Sequence, residues 1–338
     1  MKDFKVIGLM SGSSLDGVDI AYVNFSHDNR RWFFNIIEAG NIPYTSSWKE
    51  KLSSAFDKSP EELKKLDIEY GQYLGTITKK FINKYDLDPK LIASHGHTIF
   101  HRPEEHYTLQ IGDGDEIARA TGIVTINDFR SEDVKKGGQG APLVPIGDKH
   151  LFAEYPICLN IGGIANVSYE YEGKRIAYDI CIANQMLNYL ANKLGYDYDN
   201  NGSFARQGKV NLDLLKAFND NSYYDKEAPK SLGREFFEKY QHQIIEESSL
   251  DVRDILATAT EHIASQIVKS TDMLEKSKML ITGGGAKNNY LVERISELSK
   301  HEVVIPDTMI IDYKEALIFA FLGALKMEGK INVLSSVT

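Results

Sequence analysis

IGLMSGSSLDGVDIAYVNF, residues 7–25, places one apolar strand against another across a turn of small residues. An ordinary hairpin needs only about two turn residues. Here Ser11, Gly12, Ser13 and Ser14 come first, and Asp16 and Gly17 follow. Several backbone N–H groups are left without a strand partner and without bulky side chains in the way, which is how a backbone cradles phosphate. The theme returns in ICLNIGGIANVSYEY, residues 157–171, and a third glycine turn lies between strand and helix in KMLITGGGAKNNYLVERISEL, residues 278–298.

Around these turns the chain alternates strands and helices. WFFNIIEAGNIPY continues the first strand pair, and residues 47–84 carry apolar side chains at helical spacing. LIASHG reads as a buried strand, EIARATG as a helix closed by Gly122, and IVTINDF as a further strand. The run KKGGQGAP, residues 135–142, suits a hinge or interdomain connector. RIAYDIC is another strand, helices fill Asn211 to Lys276, and EALIFAFLGALKM is an apolar C-terminal helix. A strand–turn–strand unit at the head of each half predicts an α/β protein of two related lobes. At roughly 150 residues per domain, 338 residues also suggest two.

Composition narrows the partners. A net charge of −9 argues against a broad nucleic-acid or anionic-membrane surface. Two cysteines, Cys158 and Cys181, are too few for a disulfide framework and fit a reduced, cytoplasmic setting. MKDFKVIGLM has no signal-peptide core, and no apolar run reaches membrane-span length.

No Walker A motif occurs, and no G-x-G-x-x-G with a distant acid supports a dinucleotide fold. Two phosphate-clasping hairpins predict a nucleotide site. In the third turn Gly283, Gly284 and Gly285 admit a flat adenine or ribose close to the backbone. Asp179 ends an apolar strand, where it suits a general base. The competing role for Asp179, or for Asn184, is to cap the helix that follows. ASHGHTIFHRPEEH holds four of the nine histidines, yet no cysteine or helical H-x-x-x-H face accompanies them, so zinc is the weaker reading. His95 suits a sugar hydroxyl or a satisfied loop position. Asp128 and Arg130 suit substrate oxygens or a surface ion pair.

Together GLMSGSSLDGVD, HGHTIFH, TLQIGDG, DFR, GGQGAPLVP, LNIGGIANVS, APKSLGREFF and TGGGAKN resemble the anhydro-N-acetylmuramic acid kinase family, in order through nearly the whole chain. The resemblance implies an actin-like ATPase or sugar-kinase fold, with a duplicated β-sheet core and an interlobe cleft. The expected lobes are 1–134, completed by the helix at 314–328, and 135–313. It implies an ATP-dependent kinase that opens 1,6-anhydro-N-acetylmuramic acid with water and phosphorylates O6, in cell-wall recycling. ATP binding then maps onto Gly12, Ser13, Ser14, Leu15, Asp16, Gly17, Val18 and Asp19, with Gly162, Gly163 and Gly283–Gly285. The catalytic aspartate falls on Asp179, which favours the base over the cap. His95, Asp128, Arg130 and Asn184 are expected on the sugar, Asp16 and Asp19 on Mg²⁺ through water, and the family implies a homodimer.

The chain departs from the family where DTGPGN is usual, carrying Asp179-Ile180-Cys181-Ile182-Ala183-Asn184 instead. Without the glycines and proline, that loop is expected to be more apolar and to reshape the sugar pocket. GSSLDGVD stands for GTSLDGVD, His97 takes a position where many members have Gln, and the end at SSVT is early for the family, so a terminal element of the family is expected to be absent. The rival readings are a kinase of another anhydro-sugar on the same scaffold and a nucleotide-binding sensor without catalysis.

Overall fold

The computed structural model describes residues 2–12, 15–28, 31–135, 137–233 and 235–334. The chain divides into two units, Met1–Leu151 with Tyr313–Thr338, and Phe152–Asp312. The glycine-rich run at 135–142 lies inside the first unit, so the division falls later in the chain than that run.

The first unit contains strands β1 (Lys2–Met10), β2 (Gly17–His27), β3 (Trp32–Pro43), β4 (Leu91–Ser94), β5 (His97–Arg102), β6 (Tyr107–Ile111) and β7 (Thr125–Ile126). Its helices are α1 (Ser46–Ser53), α2 (Pro60–Tyr85), α3 (Gly114–Thr121), α4 (Ser131–Lys135) and α5 (Val144–Leu151). Five strands form a sheet in the order β3-β2-β1-β4-β7. The first three pair antiparallel, and β4 and β7 run parallel. Local chemistry places the breaks. The helical pattern over 47–84 splits because Ser59 forms a capping box with Glu62 and Pro60 opens α2. IVTINDF yields only the two-residue β7, because Asp128 takes φ 53 and its carboxylate accepts the Ser131 N–H, turning the chain into α4.

The second unit contains β8 (Ile157–Ile161), β9 (Ile164–Tyr171), β10 (Lys174–Ile182), β11 (Lys278–Thr282) and β12 (Glu302–Val304). Its helices are α6 (Asn184–Lys193), α7 (Leu212–Asn219), α8 (His242–Glu246), α9 (Val252–Thr271) and α10 (Asn289–Leu298). The sheet order is β10-β9-β8-β11-β12, again three antiparallel strands followed by two parallel ones. Strand for strand, this repeats the first sheet and bears out the duplicated α/β core predicted from the two strand–turn–strand motifs.

A last helix, α11 (Thr308–Met327), packs its apolar run into the first unit, with Ala316 to Ala320 all at most 2% exposed. It lies so close to β1 that a Cβ on Gly8 would sit 1.9 Å from the Ala316 carbonyl oxygen, so only glycine admits the contact. A buried ion pair at 2.7 Å between Lys314 and Asp148 ties α11 to α5. The apolar run is core: no described helix is long and apolar enough to cross a membrane.

Candidate active site

Asp179 sits inside β10 rather than at its end. A register shift between Asp179 and Cys181 marks a β-bulge, and the strand continues to Ile182. Three hydrogen bonds fix the residue to the segment 223–232. The Tyr223 hydroxyl donates to its carbonyl at 2.6 Å, its N–H donates to the Lys230 carbonyl at 3.3 Å, and the Leu232 N–H donates to Oδ2 at 3.0 Å. Oδ1 accepts nothing from the described residues. Partial burial raises the carboxyl above its usual range, and the Leu232 N–H opposes this. Tyr223, itself pushed up by burial and by the Asp179 charge, stays a donor.

The capping role does not hold. The N-cap of α6 is Ala183, with no side-chain bond, and the first α6 amides go to carbonyls of the second glycine turn. Asn184 N–H donates to Gly162 O at 3.1 Å, and Gln185 N–H to Gly163 O at 3.2 Å. The expectation for the DICIAN stretch is also corrected. Ile180, Cys181, Ile182 and Ala183 close β10 and open α6 and are buried in the core of the second unit, with Ile180 also lining a cavity beside β10. The stretch is the end of a strand and the start of a helix rather than a loop, and both are packed into the core.

Around that helix start, Asn184 Nδ2 donates to the Ile161 carbonyl at 3.2 Å, tying β8 to α6. Gly284 lies beside it, 3.6 Å from Asn184 Nδ2 at its Cβ position. The unit therefore brings Gly162, Gly163, Asn184 and the third glycine turn together. Gly283 has φ 80, and a Cβ there would stand 2.7 Å from Asn160 Oδ1, so this turn requires glycine. The N–H groups of Gly163, Gly284 and Gly285 have no acceptor among the described residues, which leaves them available to an anion.

In the first unit, Ser13 and Ser14 lie outside the described residues. Gly12, Leu15, Asp16 and Gly17 form the rest of the turn, with Leu15 at φ 56. Val18 is fully buried, so only its backbone is available. Asp16 is exposed, and Asp19 Oδ1 accepts from Asn41 at 2.8 Å. Ser11 anchors the turn through a buried polar chain: its hydroxyl lies 2.6 Å from Tyr44 OH and 3.0 Å from His97 Nδ1, and Tyr44 OH lies 2.5 Å from Tyr70 OH. Burial holds His97 down to about 4 and Tyr44 up to about 12, so the chain is uncharged near neutrality.

His95 and Arg130 meet directly. Both Nε and Nη2 of Arg130 lie 3.1 Å from His95 Nε2, and Nη1 donates to the Gly140 carbonyl at 3.1 Å. The ring must then accept at Nε2 and donate from Nδ1 to the Gly96 carbonyl, 3.0 Å away. Burial, reinforced by the guanidinium, pushes His95 down to about 3 and keeps it neutral. Burial also pushes Arg130 down to about 10, with the Glu315 charge opposing. No described carboxylate forms an ion pair with Arg130, so the surface ion pair with Asp128, the alternative to a substrate role, is absent; the Asp128 carboxylate instead accepts the Ser131 N–H. The outcome is a desolvated cation held by neutral partners.

Among the described residues no group of three or more His, Cys, Asp or Glu side chains could hold a metal ion. Sequence reasoning missed Tyr44, Tyr70, Tyr223 and Leu232. The signal for the last was the APKSLGREFF motif, to which no role was attached.

A family model described as anhydro-N-acetylmuramic acid kinase matches residues 4–338. An anhydro-N-acetylmuramic acid kinase of Pasteurella multocida is 35% identical, covering 98% of this chain and 93% of its own. The protein of that name from Crocosphaera subtropica is 35% identical over 96% and 93%, and one from Sulfurimonas denitrificans 31% identical over 98% and 95%. With the duplicated sheet and the glycine turns already in place, these matches assign the chain to the anhydro-N-acetylmuramic acid kinase family.

Proposed function

We propose that this protein is a cytoplasmic ATP-dependent kinase that converts 1,6-anhydro-N-acetylmuramic acid, water and ATP into N-acetylmuramic acid 6-phosphate and ADP, a step of cell-wall recycling. The observation that carries the reading is Asp179: one carboxylate oxygen is anchored by the Leu232 N–H, and the other accepts nothing from the described residues. Burial raises its pKa, which makes it a stronger base than an ordinary carboxylate. Asp179 accepts a proton from water as the water oxygen bonds to the anomeric carbon. The C1–O6 bond breaks, and O6 takes the γ-phosphoryl group as ADP leaves. The ring opening thus creates the phosphoryl acceptor.

Backbone amides at Gly12, Gly163, Gly284 and Gly285 supply donors for phosphate oxygens, the positioning and charge stabilisation on which phosphoryl transfer depends. The carboxylates of Asp16 and Asp19 are hard oxygen donors that suit Mg²⁺, an ion that keeps several of its waters and offsets phosphate charge. Arg130 is assigned to the carboxylate of the sugar's lactyl ether. A desolvated guanidinium with only neutral partners gains a charge-assisted bond from such a group, and His95 holds its plane.

The test incubates the purified protein with Mg·ATP and the anhydro-sugar in ¹⁸O-water and weighs the product. N-Acetylmuramic acid 6-phosphate with one ¹⁸O is expected. ADP release without a phosphorylated sugar refutes the assignment.

A further inference from the structure

A cavity of about 460 Å³ opens between β9, β10, the C-terminal end of α9 and the segment 224–230. Its volume lies in the usual range for small-molecule sites. Tyr171, Tyr178 and Tyr224 line it together with Lys226, Lys230 and Lys269. The tyrosines are held in place from behind. Tyr178 OH donates to the Ser270 carbonyl at 3.0 Å, and Tyr224 OH receives the Gln241 amide at 3.2 Å. Tyr171 stands 49% exposed at the rim, where a buried core role does not account for it.

The charge is unusual for a chain of net −9. Lys269 pairs with Asp225 at 2.8 Å, and Glu227 adds one more carboxylate, leaving three ammoniums against two acids. Lys230 lies over the Tyr178 and Tyr223 rings, at 5.3 and 4.9 Å. Burial lowers its pKa, and repulsion from Lys269 and Lys226 lowers it further while Asp225 opposes. An anion placed among the three lysines relieves that repulsion. A compact dianion such as a phosphomonoester suits ammonium point charges, and flat tyrosine faces suit the amphipathic body of a sugar.

We propose that this cavity is a second binding site, specific for a phosphorylated monosaccharide, and that its occupancy slows turnover through the segment 223–232. The same segment that carries Lys226 and Lys230 into the cavity holds Asp179 by the Tyr223 hydroxyl, the Lys230 carbonyl and the Leu232 N–H. A ligand that draws the lysines toward it pulls on all three contacts at once. The binding half of this proposal stands on the cavity alone, while the effect on turnover rests on the reading of Asp179 as the base.

The experiment titrates the full-length protein with N-acetylglucosamine 6-phosphate by calorimetry, with N-acetylglucosamine and inorganic phosphate as controls. One site is expected, at least tenfold tighter for the phosphosugar than for either control. The double variant Lys226→Ala/Lys269→Ala should weaken it at least tenfold while its melting temperature stays close to the parent's and its KM for ATP stays within twofold. Saturating phosphosugar should lower kcat severalfold in the parent and leave the double variant unchanged. No binding at millimolar probe, equal binding of phosphate alone, or undiminished binding to the double variant overturns the site. Binding with no change in kcat overturns the coupling. A protein that binds the phosphosugar as expected yet never phosphorylates the anhydro-sugar upholds the cavity and refutes the proposed reaction instead.

Discussion

Replacing Asp179 by Asn separates chemistry from stability. Asn keeps an acceptor for the Leu232 N–H, and the Tyr223 and Lys230 bonds go to the main chain of residue 179, so no anchor is removed. What disappears is the proton acceptor. A positioned general base is worth about 10²–10⁴-fold, so kcat should fall by that factor with KM for ATP within a few-fold. Stability should move the other way. The folded-state pKa of Asp179 is raised, chiefly by burial, so near pH 7 the folded protein bears the cost of a poorly solvated charge that the unfolded chain does not. Asn carries no such charge. The variant should melt at the same or a higher temperature at pH 7, and its advantage should shrink as the pH falls through the folded-state pKa toward the ordinary carboxylate value, where the parent residue is protonated as well. ADP release in a coupled assay and melting curves at pH 7 and 4.5 measure both. A kcat within about threefold of the parent removes Asp179 from the mechanism. A marked fall in melting temperature at pH 7 would show that the ionised carboxylate is itself a structural anchor and refute the burial argument.

Tyr223→Phe removes the 2.6 Å bond to the Asp179 carbonyl and should cost about 1–3 kcal/mol of stability. Its kcat should drop by up to about 100-fold at unchanged KM, and an unaltered kcat in steady-state assays contradicts the positioning role. Arg130→Ala should raise KM for the carboxylate-bearing anhydro-sugar by roughly 10- to 150-fold, the worth of a hydrogen bond to a charged group; equal losses for a sugar lacking the carboxylate would reassign Arg130. Gly283→Ala forces an L-residue to φ 80 against Asn160 Oδ1 and should destabilise the protein by about 1–3 kcal/mol in denaturant titrations. His95 and His262 are held down to about 3 and His97 to about 4, each chiefly by burial, so the unfolded chain takes up their protons first as the pH falls below 6.5. Folding stability should therefore decline between pH 6.5 and pH 5, by about 2 kcal/mol for each histidine; a flat profile in urea melts at those pH values refutes their burial as neutral rings.

The parts of the fold that were legible in the sequence depend on short-range chemistry. β1 and β2 show as apolar runs across a turn too long for a hairpin, α3 ends at Gly122 because its αL conformation suits glycine, and Ser59, Pro60 and Glu62 start α2. The β5–β6 hairpin escaped notice because HTIFHR was weighed for its histidines alone, whereas its alternation with YTLQI is a pairing signal.

The sequence by itself determined two strand–turn–strand units, hence a duplicated sheet, and named Asp179 and the three glycine turns, because strand periodicity and glycine's conformational freedom act over a few residues. Tertiary structure alone decided what those residues touch. That Asp179 hangs from Leu232 and Tyr223 and that Arg130 meets His95 rather than Asp128 follow from contacts across 35 to 53 residues, and the burial of Ile180 to Ala183 follows from the same packing. The physical reason is that a hydrogen bond or a buried face is chosen by which surfaces the packed sheets and helices bring together, and no local pattern encodes that choice.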